Sequence, residues 1–164
     1  MPEMILKSPD FADGQPIPSR HSLDGGNASP ELVWDGIPEG TRSLALVVAD
    51  PDAPDPAAPK QTFTHWVLYN LPARLDRLPR NARFEPGGDS GEEGLNDWKR
   101  PGWGGPKPPI GTHRYIFRLL ALDTPLSFDR PPTREQLERA VSGHLLGEAQ
   151  LVGTYAAEDV RPSR

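Results

Sequence analysis

Ser43-Leu-Ala-Leu-Val-Val-Ala-Asp-Pro-Asp-Ala-Pro54 decides how this chain is read. Its first half, Leu44 to Ala49, is a continuous apolar run too short for a helix, which predicts a strand buried on both faces. Its second half places two acids two residues apart among prolines, Asp50-Pro51-Asp52-Ala53-Pro54, at the strand's exit. Residues 50–61 hold four prolines and read as a loop. Beyond it, Thr62 to Tyr69 alternates two faces: Thr62, Thr64, Trp66 and Leu68 on one, Phe63, His65, Val67 and Tyr69 on the other. His113 to Leu122 is the clearest strand, with His113, Tyr115, Phe117, Leu119 and Ala121 sharing a face. Titratable groups thus sit at the ends of three strand-like segments, where a β-sandwich or barrel builds a ligand pocket.

Outward from this centre the pattern stays β-rich. Leu32-Val-Trp34 and Gln150 to Tyr155 read as short strands, and residues 79–111 as one long loop, a length usually tied to function or mobility. Thr133 to Leu145 is the one clear helix: Thr133 and Gln136 form a capping-box pair behind Pro131-Pro132, and Leu137, Ala140, Val141 and His144 fall on one stripe. Arg161 to Arg164 is expected to fray. The 21 prolines and 16 glycines lie between apolar runs rather than in one tract, so they mark turns between strands and not a disordered tail. The expectation is one all-β domain over residues 1–164: an antiparallel two-sheet sandwich with a few peripheral helices.

Composition narrows the function. There is no cysteine, hence no disulfide, thiolate metal site or cysteine nucleophile, and a reducing cytoplasmic setting suits the chain. A formal charge of −5 argues against nucleic-acid binding through phosphates. No stretch approaches the ~18–20 apolar residues of a membrane-spanning helix, and Met1 to Pro9 lacks the basic and apolar parts of a signal peptide. Asn27-Ala-Ser29 matches a glycosylation acceptor by chance. G-x-S-x-G, H-E-x-x-H and the phosphate-cradling glycine-rich lysine motif are all missing.

Taken singly, the site residues have plain explanations. Asp-Pro pairs start turns, and a histidine on an apolar strand face is commonly a satisfied core residue. A carboxylate can instead hold one imidazole nitrogen and leave the other for a ligand. Asp-Pro-Asp-Ala-Pro54, His65-Trp66 and Gly111-Thr-His-Arg-Tyr115 occur here in order, with Asn27 to Trp34, Pro101-Gly-Trp-Gly-Gly-Pro106 and Gly147 to Tyr155 around them. In these blocks, spanning roughly Phe11 to Tyr155, the chain resembles the phosphatidylethanolamine-binding protein family, in its shorter bacterial and archaeal Raf kinase inhibitor-like branch.

That resemblance implies a Greek-key sandwich with an anion pocket at one edge. Asp50, Pro54, His65, Gly105, His113 and Tyr115 would line it, with Asp52 supporting the loop. It also implies a small anionic or phosphorylated ligand and a regulated partner such as a kinase or protease. No cofactor, metal, nucleic acid or membrane insertion is expected, and a homodimer is compatible with this reading. The alternative is an enzyme that uses the Asp/His/Tyr pocket for acid–base or metal-assisted hydrolysis of a small substrate. One departure stands out: the turn Gly105-Pro-Lys-Pro-Pro-Ile-Gly-Thr112 is short for the family, with Lys107 where a small residue is usual, so the ligand stays open. Trp34 and Trp66 read as core, Trp98 and Trp103 as pocket rim or protein contact, Asp89 to Glu93 as a solvated tip, and His21 as outside the site.

Overall fold

The computed structural model describes residues 3–85 and 87–157; the expected fraying of Arg161 to Arg164 lies outside them. Nine strands form two sheets. The smaller sheet has the order β1-β3-β6, from Ile5–Lys7, Leu32–Asp35 and Arg77–Leu78. The larger has the order β2-β9-β8-β4-β5-β7, from Gln15–Pro16, Leu145–Ala156, Thr112–Leu122, Ser43–Ala53, Gln61–Leu71 and Glu92–Glu93. One α-helix, α1 (Arg134–Val141), and one 3-10 turn at Ser19–His21 complete the described elements. All pairings are antiparallel except β2 with β9, which is parallel, so the expected purely antiparallel arrangement is broken at that edge.

β4 is the axis of the molecule because both of its faces are apolar. Leu44, Leu46 and Val48 point to a core shared with Leu6, Leu32, Trp34 and Leu78 of the smaller sheet and with Trp66, Phe117 and Leu151 of the larger. Ala45 and Val47 point the other way and, with Val67, Tyr69, Leu120 and Leu122, pack against Leu137 and Val141 of α1 and against Leu126. The continuous apolar run therefore reports a strand between two cores, as a doubly buried strand must.

Four element boundaries differ from the sequence reading. β4 runs on through Asp50 to Ala53, where a loop was expected, because a shift in the pairing between Asp50 and Ala53 accommodates Pro51 within the strand's end. Short strand β7 lies inside the expected 79–111 loop, so part of the supposed solvated tip pairs with Leu68 and Tyr69. α1 stops at Val141: Gly143 takes φ +87° and turns the chain away. Consequently His144 is exposed and holds Asp123 at 2.8 Å rather than packing on a helix stripe. β9 starts at Leu145, five residues before the expected Gln150, because it pairs with β8 along its whole length. The capping box itself is present, with Thr133 Oγ1 accepting from Gln136 N–H at 3.2 Å and Gln136 Oε1 accepting from Thr133 N–H at 3.0 Å.

Trp66 is fully buried in the core between the sheets. Trp66→Ala should cost about 3–5 kcal/mol of stability, whereas Thr133→Ala should cost about 1 kcal/mol through loss of the cap. Urea unfolding of the two variants checks this ordering.

Candidate functional site

Because β8, β4 and β5 are antiparallel neighbours, the end of β4 lies beside the beginnings of β5 and β8. Asp50, Asp52, His65, His113 and Tyr115 come together at this shared end. A cavity of about 290 Å³ opens there. Asp50, Ala53 and Pro54 line it from β4 and its exit, Gln61, Phe63 and His65 from β5, His113 and Tyr115 from β8. Leu23, Trp98, Lys107, Pro108 and Pro109 close the remaining sides. The Ala53–Pro54 peptide is cis.

His65 reaches this cavity through an irregularity. Val48 pairs with Trp66 and Ala49 with Thr64, so His65 is an extra residue, a β-bulge. The bulge shifts the alternation. Val67 and Tyr69, which strict alternation put on the face of His65, pack toward α1. His65 instead lies against Tyr115 on the opposite side, with ring centroids 5.1 Å apart. Phe63 and Trp98 complete its aromatic surroundings at 5.1 and 5.4 Å. Its Nδ1 is 2.7 Å from the carbonyl of Gly104, which makes Nδ1 the protonated nitrogen. Burial pushes the imidazole down to about 4, against the weaker opposing pull of that carbonyl. At neutral pH His65 is therefore an uncharged ring whose Nε2 accepts hydrogen bonds rather than donating them.

Asp50 and His113 form a buried pair, Oδ2 to Nδ1 at 2.5 Å. Asp50 Oδ1 accepts from Asp52 N–H at 2.7 Å. His113 Nε2 lies 2.9 Å from the carbonyl of Ile110. Both ring nitrogens thus face oxygen acceptors, which requires a proton on Nε2 and a second one between Nδ1 and Asp50. Burial raises the Asp50 carboxyl above its ordinary range while the His113 hydrogen bond opposes this, so the acid is readily shared with its partner. The pair carries no net charge in that state. The expectation that the carboxylate leaves one His113 nitrogen free for a ligand is corrected by the Ile110 carbonyl.

Asp52 plays the supporting part foreseen for it. Its carboxylate takes Arg114 N–H and Nε–H on one oxygen, at 2.9 and 3.0 Å, and Nη2–H on the other at 2.9 Å. This fork ties the end of β4 to β8 and holds the Asp52 carboxyl below its usual range, chiefly through the Arg114 side chain.

Tyr115 is buried, and no hydrogen bond to its hydroxyl exists among the described residues. Burial, reinforced by the charges of Asp50 and Asp52, raises its ionisation well above the ordinary value, so the hydroxyl stays a donor. Lys107 adds a cation at the rim, where its Nζ also meets the exposed Asp24 at 3.0 Å.

Gly105 is not on the cavity wall. Its N–H donates to Asn27 Oδ1 at 2.7 Å, and a Cβ there would meet the His21 carbonyl at 2.0 Å. A Cβ on Gly104 would meet Trp98 at 2.2 Å. The two glycines let the loop pass between the buried His21 segment and the Trp98 ring, and so place the carbonyl that orients His65. Gln61, Phe63, Leu23, Ala53, Pro108 and Pro109 had not been singled out. Phe63 was legible as a neighbour of His65 on one strand face; Leu23 carried no signal. Among the described residues no three His, Asp or Glu side chains form a group that holds a metal ion.

The His65 shift has a measurable consequence. Its folded value lies below the unfolded one of ~6.5, so between roughly pH 6.5 and 4 the unfolded chain binds the extra proton. This contribution is present above ~6.5 and is lost as pH falls, by at most about 1.4 kcal/mol per unit. Asp50, shifted the other way, partly offsets it at the acid end. His65→Phe should flatten the acid slope of stability relative to the unmodified chain, and the His65 ring should titrate by NMR near pH 4.

Comparison with known proteins shows the family. Residues 7–156 match the family model described as phosphatidylethanolamine-binding protein. A UPF0098 protein of Methanothermobacter thermautotrophicus is 45% identical over 155 residues, covering 93% of this chain and 98% of that one. The crystal structure of a phosphatidylethanolamine-binding protein homolog from Chlamydia trachomatis superposes with TM-score 0.84 at 37% identity, over 93% of this chain and 97% of that one. YbcL of E. coli gives 0.82 at 31% identity, over 94% and 98%. With the family's blocks meeting at one sheet end and its model spanning nearly all described residues, the chain belongs to the phosphatidylethanolamine-binding protein family.

Proposed function

We propose that the chain is a binding module whose cavity takes the phosphate or carboxylate group of a small ligand, with regulation of a partner, a kinase or a protease, through that ligand. One observation carries the reading: Tyr115, whose hydroxyl has no hydrogen bond among the described residues, lines a cavity rimmed by Lys107, while the cavity's acid, Asp50, is already paired with His113. A donor and a cation then meet the anion without repulsion from a bare carboxylate. Pro54 shapes the exit side, and Gly105 acts through the loop it allows. Because His65 Nε2 is an acceptor, the ligand's oxyanion presents a proton to it. A hydrogen phosphate or monoprotonated phosphomonoester does so; sulfate does not.

The alternative, acid–base hydrolysis, has less support. Both oxygens of Asp50 and both nitrogens of His113 are already hydrogen-bonded, so the pair has no unengaged atom directed at a ligand. Among the described residues no helix is long and apolar enough to cross a membrane, and the cysteine-free composition suits a cytoplasmic post.

Calorimetric titration with inorganic phosphate and phenyl phosphate tests the reading. Saturable binding is expected, weaker by about tenfold or more in Tyr115→Phe, since a hydrogen bond to a charged group is worth ~1.5–3 kcal/mol. Affinity for the monoester should rise as pH falls from 8 toward its second pKa near ~6, and sulfate should bind poorly at any of these values. Unchanged binding in both Tyr115→Phe and His65→Phe would remove the assignment. Phenol release abolished by His113→Ala would replace binding with catalysis.

A further inference from the structure

A second cavity, of about 330 Å³, lies beside edge strand β7 and shares no wall residue with the first. It opens on the α1 side of the large sheet, to which Tyr69 and Phe128 belong. Tyr69, Phe84 and Phe128 supply aromatic wall, the Tyr69 and Phe128 rings meeting edge to face at 5.2 Å. Glu85, Glu92, Glu93 and Asp129 supply carboxylates, against the single exposed cation Arg130.

Two of these groups have side-chain polar atoms with no hydrogen-bond partner among the described residues. Tyr69 is only 6% exposed, yet no hydrogen bond to its hydroxyl exists among the described residues. Glu93 is half-buried with no side-chain hydrogen bond or ion pair at contact distance among them; burial raises its carboxyl above the ordinary range, opposed only by the more distant charge of Arg83. Buried polar groups are normally satisfied, and an unpaired carboxylate is costly to bury. The missing partner has a definite chemistry. An anion is repelled by Glu92 and Glu93, and a neutral ligand leaves their charge uncompensated. No three acids here form a group that holds a metal ion. A cation with an apolar body satisfies every wall at once, since aromatic faces attract such cations and the carboxylates add Coulombic pull.

We propose that this aromatic and acidic cavity between β7 and the Phe128–Pro131 segment is a binding site for an organic ammonium ion. The ammonium head lies between Glu92, Glu93 and the Tyr69 hydroxyl oxygen, and its alkyl groups face Phe84 and Phe128. This site is independent of the oxyanion cavity, so a failure of either assignment leaves the other standing.

Tetramethylammonium chloride is the probe, with tert-butanol as its uncharged counterpart of like size and sodium chloride at matched ionic strength as the baseline. Backbone amide shifts of Tyr69, Glu92 and Glu93 should move saturably with tetramethylammonium, with Kd on the order of 1 mM for so small a ligand. Glu93→Gln should weaken this about tenfold. Phe128→Leu should weaken it roughly threefold or more, the weight of one cation–π contact of ~0.5–2 kcal/mol. Away from the cavity the amide spectra of both variants should superpose on that of the unmodified chain, which certifies their folding. Equal response to tert-butanol, a response to tetramethylammonium no larger than to sodium chloride, or full affinity in both variants would each overturn the proposal.

Discussion

The hydrogen bond between Asp50 and His113 is the constraint around which this molecule is arranged. A carboxylate on the last turn of a doubly buried strand cannot be left without a partner, and an imidazole on the neighbouring strand cannot be charged without one. Paired at 2.5 Å, they cancel each other. Asp52 and Arg114, one step further out, anchor the same two strands from the opposite face. β4 and β8 are thereby locked at the end where the cavity lies, and Tyr115, two residues beyond His113, is carried to the cavity with its hydroxyl unspent. The pairing lowers the negative charge at this end of a chain whose formal charge is −5.

The two faces of the large sheet have different tasks. One face packs on the smaller sheet and, at its open end, holds the cavity lined by His65 and His113. The other packs on α1 and, at the β5–β7 edge, holds the acidic, aromatic cavity. The separation of charge follows from the strands themselves. Strict alternation would set His65 and Tyr69, four residues apart, on one face; the bulge at His65 turns it to the other, so the two serve different cavities although they lie on one strand.

Much of the fold was legible because its signals are local. The run Leu44 to Ala49, the alternation from His113 to Leu122 and the Thr133/Gln136 cap each report an element through residues a few positions apart, and each element is present. The site residues were legible through their ordered blocks, and five of the six line one cavity. The long-range choices were hidden. The bulge that redirects His65 is a mismatch between two strands and has no mark within either. The pairing of β9 from Leu145 onward depends on β8, which ends at Leu122 on the far side of α1, not on any apolar pattern of its own.

By itself, then, the sequence determined the long strands, the helix cap and the ordered blocks that mark the family, with the Asp, His and Tyr residues inside them, since propensity, periodicity and motif order are properties of neighbouring positions. The tertiary structure alone decided their protonation and direction. His65 is neutral because burial removes the water that would charge it. The second nitrogen of His113 is spent on the Ile110 carbonyl because the short turn brings it there. Tyr69 and Glu93 share a cavity because β5 and β7 are edge neighbours. Desolvation and hydrogen-bond partners are set by what packs around a group, and no reading along the chain contains that.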